Sequence, residues 1–533
     1  MRKVFVLACL IALSVALLPP AEAQTGHSAE DTTVTNENDG TTIGITIFRP
    51  ANASAATPAP VVLHSHGWGG SRSRTIGGAI ASFLDAGMGV VSIDQRGHGE
   101  SSDQAYVQDP TRETEDIKAV IDLVATLDWV ALDAPGDPVL GAIGGSYGGG
   151  YQTMTALDEI ADEGATRFNA LAPEITWYDL PESLAPQGVV RSTWVALLYA
   201  VGAANVPQHI HESQAWGSAT GLWPDGTVLG QSVPGVPDID SVFHTNSPVG
   251  FVDQGIRINV PVLLRQGISD NLFNLNQGLH IFNKAVTDEA RDQSYLIGYN
   301  GGHVLPNVLP AGTAGGSDAC SPGSFTELSI QFFQRVFSGQ STDGLLPERY
   351  NLTTLDGSKC LSLENFKGGT TFSVGSPVGP IATPTAGGPP QHWPITTGPI
   401  TVTGIPTLSG GVAAAAVEGR AFFGLSVGTS PADATVIANN LMPLRQILPT
   451  PGTAFEIELP GVAVEVPEGE TLFLTISPVS DMSVAHGSRT PGALVLSDLE
   501  VHLPAPKGCG PPEGKGPKDG RTVPCGPKDR SEG

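Results

Sequence analysis

No stretch of this chain constrains its fold more than the one from Val139 to Ile160. Val139 to Ile143 reads as a short buried strand, which runs without a break into Gly144-Gly145-Ser146-Tyr147-Gly148, and Tyr147 to Ile160 then reads as a helix. A strand that turns into a helix across Gly-x-Ser-x-Gly must hold the serine in a strained backbone conformation. It tolerates no side chain two residues to either side. The pentapeptide alone is weak, because 66 of the 533 residues are glycine. The strand ahead and the helix behind are what make it specific.

The segments around it keep the same rhythm. Val61-Val62-Leu63 and Val90-Val91-Ser92-Ile93 are short apolar runs of the kind buried on both faces of a sheet. Between and after them come helical patterns, with Ile117, Val120, Ile121, Val124 and Leu127 on one face. Strands alternating with helices imply a mostly parallel sheet covered on both sides. Asn38-Asp39-Gly40 marks a hairpin turn ahead of this unit. The rhythm pauses over residues 176–255, which lack strand periodicity and read as a helical cap insertion. It returns with Val260–Leu264 and Tyr295–Ile297. A helix from Phe325 to Phe337 follows, with Phe325, Leu328, Phe332 and Val336 expected inward. From residue 345 to 506 the pattern changes to period-two strands between Pro, Gly and Thr turns. Phe455, Ile457 and Leu459 form one such run, and Leu499, Val501 and Leu503 another. That grammar predicts a β-sandwich.

Ser146 needs a base, and the base needs an orienting acid. Asp270 follows the strand at Val262–Leu264, and His303 follows the strand at Tyr295–Ile297. Both fall where parallel strands end, on loops facing one edge of the sheet. The alternative for Asp270 is the N-cap of a helix over Leu272–His280, and the alternative for His303 is a surface histidine. Other histidines fit the order less well. His64, His66 and His98 precede the serine, His244 lies in the cap, His280 in a helix, and His392, His486 and His502 in the β-rich part. An oxyanion formed at Ser146 requires N–H donors. The expected ones are the backbone amides of Tyr147 and of Trp68, in the His66-Gly67-Trp68 loop after the first strand. Asp94-Gln95-Arg96-Gly97-His98-Gly99 looks catalytic but reads as a structural turn in which Arg96 satisfies carboxylates or carbonyls.

Residues 1–23 read as a signal peptide. Arg2 and Lys3 precede an apolar stretch from Val4 to Leu18, and Ala21-Glu22-Ala23 offers small residues at the cleavage positions. The expected location is therefore secreted, either extracellular or periplasmic, with no membrane association after cleavage. Four cysteines would remain, an even number that suggests disulfides in an exported chain. Proximity pairs Cys509 with Cys525 and, by elimination, Cys320 with Cys360. Residues 507–533 read as a Gly-, Pro- and Lys-rich tail. With 53 acidic against 27 basic residues, the formal net charge of −26 opposes nucleic acid and anionic membrane surfaces as partners. No cofactor is implied, because neither a phosphate-cradling loop in context nor a metal-ligand cluster is apparent.

Three segments together carry a family resemblance: Gly144-Gly145-Ser146-Tyr147-Gly148-Gly149, Asp94-Gln95-Arg96-Gly97-His98-Gly99-Glu100-Ser101 and Gly267-Ile268-Ser269-Asp270-Asn271-Leu272-Phe273. The chain resembles the Xaa-Pro dipeptidyl-peptidase and cocaine-esterase-like family of α/β-hydrolases. The resemblance implies an α/β-hydrolase fold over residues 24–344 with a helical cap, then an all-β jelly-roll. It implies Ser146, Asp270 and His303 as nucleophile, acid and base, and an oxyanion donor on the Trp68 loop. Some members use a tyrosine hydroxyl there, so Trp68 would donate through its backbone or its indole N–H. The expected activity is cleavage of a small-molecule ester or a peptide amide through an acyl-enzyme. Acyl transfer on the same triad, or polymer binding by the β-domain, are the alternatives. A dipeptidyl-peptidase would need carboxylates for a free α-amine, and Glu174, Asp179 and Glu182 are the candidates.

Overall fold

The computed structural model describes residues 26–505, apart from 304–315, 367, 377–380, 384–387, 415–417, 448–449, 485–486 and 489–491. The expected signal peptide, the tail and the Cys509–Cys525 pair lie outside the described residues. Within them, no helix is long and apolar enough to cross a membrane.

The hairpin at Asn38-Asp39-Gly40 joins β1 (Ser28–Thr35) to β2 (Thr42–Arg49), antiparallel from Ser28 opposite Arg49 to Thr35 opposite Thr42. The apolar runs form β3 (Val61–Ser65), β4 (Gly89–Ile93), β5 (Leu140–Gly145), β6 (Ala170–Glu174), β7 (Leu263–Gly267) and β8 (Tyr295–Tyr299). Two further strands, β9 (Tyr350–Thr353) and β10 (Cys360–Leu363), complete a ten-stranded sheet in the order β1-β2-β4-β3-β5-β6-β7-β8-β9-β10. Pairing is parallel from β4 through β3 to β9 and antiparallel at both ends. Val, Ile and Leu fill the central strands because helices cover both faces. Helices α1 (Gly78–Asp85), α2 (Glu113–Ala125) and α3 (Tyr147–Glu163) follow β3, β4 and β5. Tyr151 of α3 donates its hydroxyl to the Leu63 carbonyl at 2.9 Å and so ties the helix to β3.

Between β6 and β7 the chain makes five helices: α4 (Leu180–Leu184), α5 (Ser192–Gly202), α6 (Gln208–Thr220), α7 (Ile239–Thr245) and α8 (Pro248–Val252). These occupy the stretch expected to be a cap. Past β7 come α9 (Leu275–His280), α10 (Asp288–Arg291) and, after β8, α11 (Phe325–Phe337). On α11 the inward residues are Phe325, Leu328, Phe332 and Phe333. Val336 is only partly buried against them, because Phe333 stacks on Phe337 and takes the inner position.

The expected boundary at residue 345 is corrected. Strands β9 and β10 belong to the main sheet, held there by parallel pairing of β9 with β8 and by the Cys320–Cys360 disulfide. The all-β part starts at Gly368. One of its sheets joins Gly368–Gly375, Gly492–Ala505, Thr407–Ala414 and Thr450–Glu458. A second joins Gln391–Thr397, Thr471–Ser477, Glu418–Gly428 and Thr435–Val436. Ile457, Leu459, Leu499, Val501 and Leu503 all lie in the apolar core they share with Leu425 and Leu474. The period-two reading of these strands holds because their sheet buries one face, whereas Glu418–Gly428 in the second sheet is buried along nearly its whole length.

Candidate active site

At the end of β5 the chain turns into α3 through Ser146, whose φ is 59° and ψ −120°. The two flanking glycines are required by space. A Cβ on Gly144 would lie 2.6 Å from the Gly148 carbonyl oxygen, and one on Gly148 would lie 2.5 Å from that of Ser65. The Ser146 amide donates to the Glu174 carbonyl on β6 at 2.9 Å, which anchors the turn to the neighbouring strand.

Two loop ends, those carrying His303 and Asp270, converge on this serine. His303 Nε2 is 2.8 Å from Ser146 Oγ, and His303 Nδ1 is 2.8 Å from Asp270 Oδ2. The Asp270 carboxylate is fully buried. Its Oδ2 also accepts the His303 backbone N–H at 3.0 Å, and its Oδ1 accepts the amides of Leu272 and Phe273, each at 2.8 Å. Those two amide bonds account for its resemblance to a helix cap in the sequence. The helix itself starts later, at Leu275 after Asn274, so Asp270 closes a turn while its other oxygen faces the imidazole. Trp194 and Phe273 stand edge-on to the imidazole with ring centroids 6.0 and 5.1 Å away, and they fix its plane. Neither aromatic carries a motif that singles it out in the sequence.

The geometry can move a proton from a hydroxyl to an imidazole held by a carboxylate. Among the described residues neither the Tyr147 nor the Trp68 backbone N–H has an acceptor. The Trp68 indole, by contrast, donates to the Leu198 carbonyl at 3.0 Å and is committed to the cap. That leaves the backbone N–H as the only Trp68 donor free for an oxyanion.

Two of the rival histidines, His64 and His98, are held inside the fold. His98 sits against the rings of Trp68 and Tyr147, 5.2 and 5.4 Å away, and burial pushes it down to about 4, as it does His64. Arg96, read as structural, is fully buried. It donates from Nε and Nη2 to the two oxygens of Asp116, at 2.8 and 2.7 Å.

Above Ser146 lies a cavity of about 260 Å³. Its walls come from Trp68, Val107, Trp177, Leu272 and Phe273, and from cap residues including Leu184, Val195, Leu198, Ile210, Trp223 and Phe243. Among the described residues, no carboxylate, lysine, arginine or histidine lines it. The three carboxylates considered for amine capture lie elsewhere. Glu174 pairs with Arg265 at 2.9 Å, and Asp179 caps α4 by accepting the Glu182 amide. Asp179 and Glu182 line a separate polar cavity of about 660 Å³ between the cap and the β-domain, where burial pushes Glu182 up to about 7.

Val107 reaches the cavity from a loop braced by Glu113, a buried residue that the sequence did not single out. The carboxyl accepts the amides of Tyr106 and Asp109 at 2.6 and 3.0 Å, while burial, with Asp116 nearby, raises its pKa to about 8. In the unfolded chain the group ionises near 4.5. Its protonation therefore favours the folded state fully below that value, and the contribution is lost as pH rises towards 8. Urea titrations at steps across this window are expected to show wild-type stability falling relative to Glu113→Gln. Parallel pH profiles for the two proteins would contradict the assignment.

Comparison with known proteins agrees with this architecture. A curated but uncharacterized Escherichia coli (strain K12) protein, YcjY, is 28% identical over 127 residues, a match that spans 24% of this chain and 40% of that relative. A CocE/NonD family hydrolase from Staphylococcus aureus superposes with a TM-score of 0.59 at 13% identity, covering 93% of this chain and 99% of the other. An aminopeptidase from a marine sediment Thaumarchaeota archaeon gives 0.58 at 11% identity, covering 92% and 99%. At such identities the two structures speak for a shared fold. The model of the X-Pro dipeptidyl-peptidase (S15) family matches residues 39–305, the stretch that carries the elbow, the Asp270 loop and His303, and this chain is a hydrolase belonging to that family.

Proposed function

We propose that the protein is an exported carboxylic-ester hydrolase acting on esters with an apolar acyl group. The observation that carries this reading is the apolar cavity ending at Ser146, which no carboxylate lines among the described residues. A dipeptidyl substrate brings a free α-ammonium into the site, and burying that charge without a partner is costly. An alkyl acyl chain gains instead from the same walls. Export is supported by the basic and apolar N-terminus with Ala21-Glu22-Ala23, and by the Cys320–Cys360 disulfide.

In this reading Ser146 Oγ attacks the ester carbonyl carbon as its proton passes to His303 Nε2. Asp270 holds the imidazole in the tautomer that presents a free Nε2 and stabilises the imidazolium that forms. The Tyr147 and Trp68 amides receive the developing oxyanion. Collapse breaks the bond to the leaving alkoxide, which takes the proton from His303. Water, deprotonated by the same imidazole, then attacks the acyl-serine, releases the acid and restores the hydroxyl.

A panel of p-nitrophenyl acetate, butyrate and octanoate set against glycyl-prolyl p-nitroanilide tests the assignment. Two added methylenes, at about 0.8 kcal/mol each, are expected to raise kcat/KM roughly tenfold from acetate to butyrate. The anilide should be a far poorer substrate. Faster cleavage of the anilide, lost when its amine is acetylated, would make the protein a dipeptidyl-peptidase instead.

A further inference from the structure

A soluble helix normally turns its polar face to water. Helix α5 does the reverse. Its exposed stripe is Ala196, Leu197, Ala200 and Val201, continued by Ala204 just past its end, at the i, i+1, i+4, i+5, i+8 spacing of one helical face. Leu197 and Val201 are 43% and 53% exposed, the fractions of surface residues, although both are large and apolar. The opposite side of the same helix, through Val195 and Leu198, lines the cavity above Ser146, which Ala196 also reaches from the edge of the stripe. A helix apolar on both its inner and its outer side belongs in an apolar medium, yet this one roofs a cavity at the protein surface.

The charge pattern narrows what covers it. Between Arg191 and His209 no side chain is charged, and Glu212 is the sole carboxylate between Ser192 and Pro224. This occurs in a chain with 53 acidic residues and a net charge of −26. Charged groups resist entry into an apolar phase, so their absence here is what contact with such a phase requires. The net charge repels an anionic lipid surface and also a second copy of the chain. A neutral apolar phase is opposed by neither effect. We infer that α5 is a docking face for the surface of aggregated neutral esters, so that the hydrolase works at droplets of water-insoluble acyl esters. This rests on the ester-hydrolase reading above and names the physical state of its substrate.

The docked helix brings the droplet against the wall of the acyl cavity, and the contact needs no covalent step. Neither Leu197 nor Val201 lines that cavity. Substituting both therefore separates docking from chemistry.

Wild-type protein and the Leu197→Glu/Val201→Glu variant would be assayed on monomeric p-nitrophenyl butyrate and on tributyrin below and above its solubility limit. The wild-type rate on tributyrin is expected to climb steeply once droplets form. The variant should lose roughly tenfold or more of that emulsion rate, given two apolar contacts per docked molecule, and keep its soluble-ester rate within about twofold. The soluble rate also reports folding, and Leu197→Ser replaces the double variant if that rate collapses. A tributyrin rate that saturates before droplets appear would overturn the inference, as would an emulsion rate untouched by the substitutions. Sedimentation that shows a wild-type dimer dissociated by the same substitutions would overturn it too, since the face would then bind a second copy. Flotation of the Ser146→Ala protein with triolein droplets, lost on adding Leu197→Glu and Val201→Glu, reads docking without catalysis. A failure of the ester reading alone thus leaves that arm intact.

Discussion

Replacing Ser146 with alanine is expected to lower kcat/KM on p-nitrophenyl butyrate by roughly 10⁴- to 10⁶-fold. The size of the effect follows from what remains. His303 keeps its 2.8 Å contact with Asp270 and the Tyr147 and Trp68 amides stay in place, but no atom is left to form the acyl bond. Under the proposed mechanism, water held by the imidazole and the two amides would account for the residual rate. A fluorophosphonate probe should label the wild type and spare the variant. Alanine removes one oxygen at a position whose backbone is set by Gly144, Gly148 and the hydrogen bond to Glu174, so the thermal transition should barely move. Labelling that persists at another serine, with activity intact, would sink the assignment of Ser146. The same experiment on Asp270→Asn should give a smaller but still large loss, because an amide would present N–H to donors that now meet a carboxylate oxygen.

The second large effect is on stability. Arg96→Met is expected to cost about 3–5 kcal/mol in the transition of the sheet domain. The guanidinium is fully buried and holds three carboxylates: Asp116 through two bonds, and Asp39 and Asp103 through Nη1 at 2.6 and 2.8 Å. It joins the β1–β2 turn, the loop after β4 and the start of α2, while Asn36 adds a bond to Asp116 at 2.8 Å. Methionine fills most of the volume but leaves the Asp116 carboxylate buried without a counter-charge. Urea unfolding monitored by fluorescence should show the shift. The double variant Arg96→Met/Asp116→Asn should recover part of it, since the uncompensated charge is then gone. A loss below about 1 kcal/mol would mean that water screens the pocket and that the pair is worth no more than a surface bridge.

Much of the site could be read before any tertiary contact was known. The turn at Ser146 depends on five consecutive residues, and the places of Asp270 and His303 depend on where two short apolar strands end. These are local constraints, carried by glycine geometry and by β-branched runs, and they survive in a linear reading. Trp68 is a mixed case. Its loop was legible, but only the fold shows that the indole is spent on Leu198, which leaves the backbone amide as its free donor. The boundary at residue 345 failed for a related reason. Short strands such as Tyr350–Thr353 look alike whether they extend a parallel sheet or open a sandwich, and pairing partners decide between the two.

By itself, then, the sequence determined the strand–serine–helix turn, the chain order of Ser146, Asp270 and His303, and the elimination that pairs Cys320 with Cys360. Tertiary structure alone decided that Glu174, Asp179 and Glu182 stay out of the lining of the cavity above Ser146, that this lining is apolar among the described residues, and that α5 shows Leu197 and Val201 to solvent. The physical reason is range. Backbone strain and strand burial act over a few residues and leave their mark in composition. A cavity is the gap left among side chains from distant segments, and an apolar residue has the same identity whether it fills a core, lines a pocket or faces water.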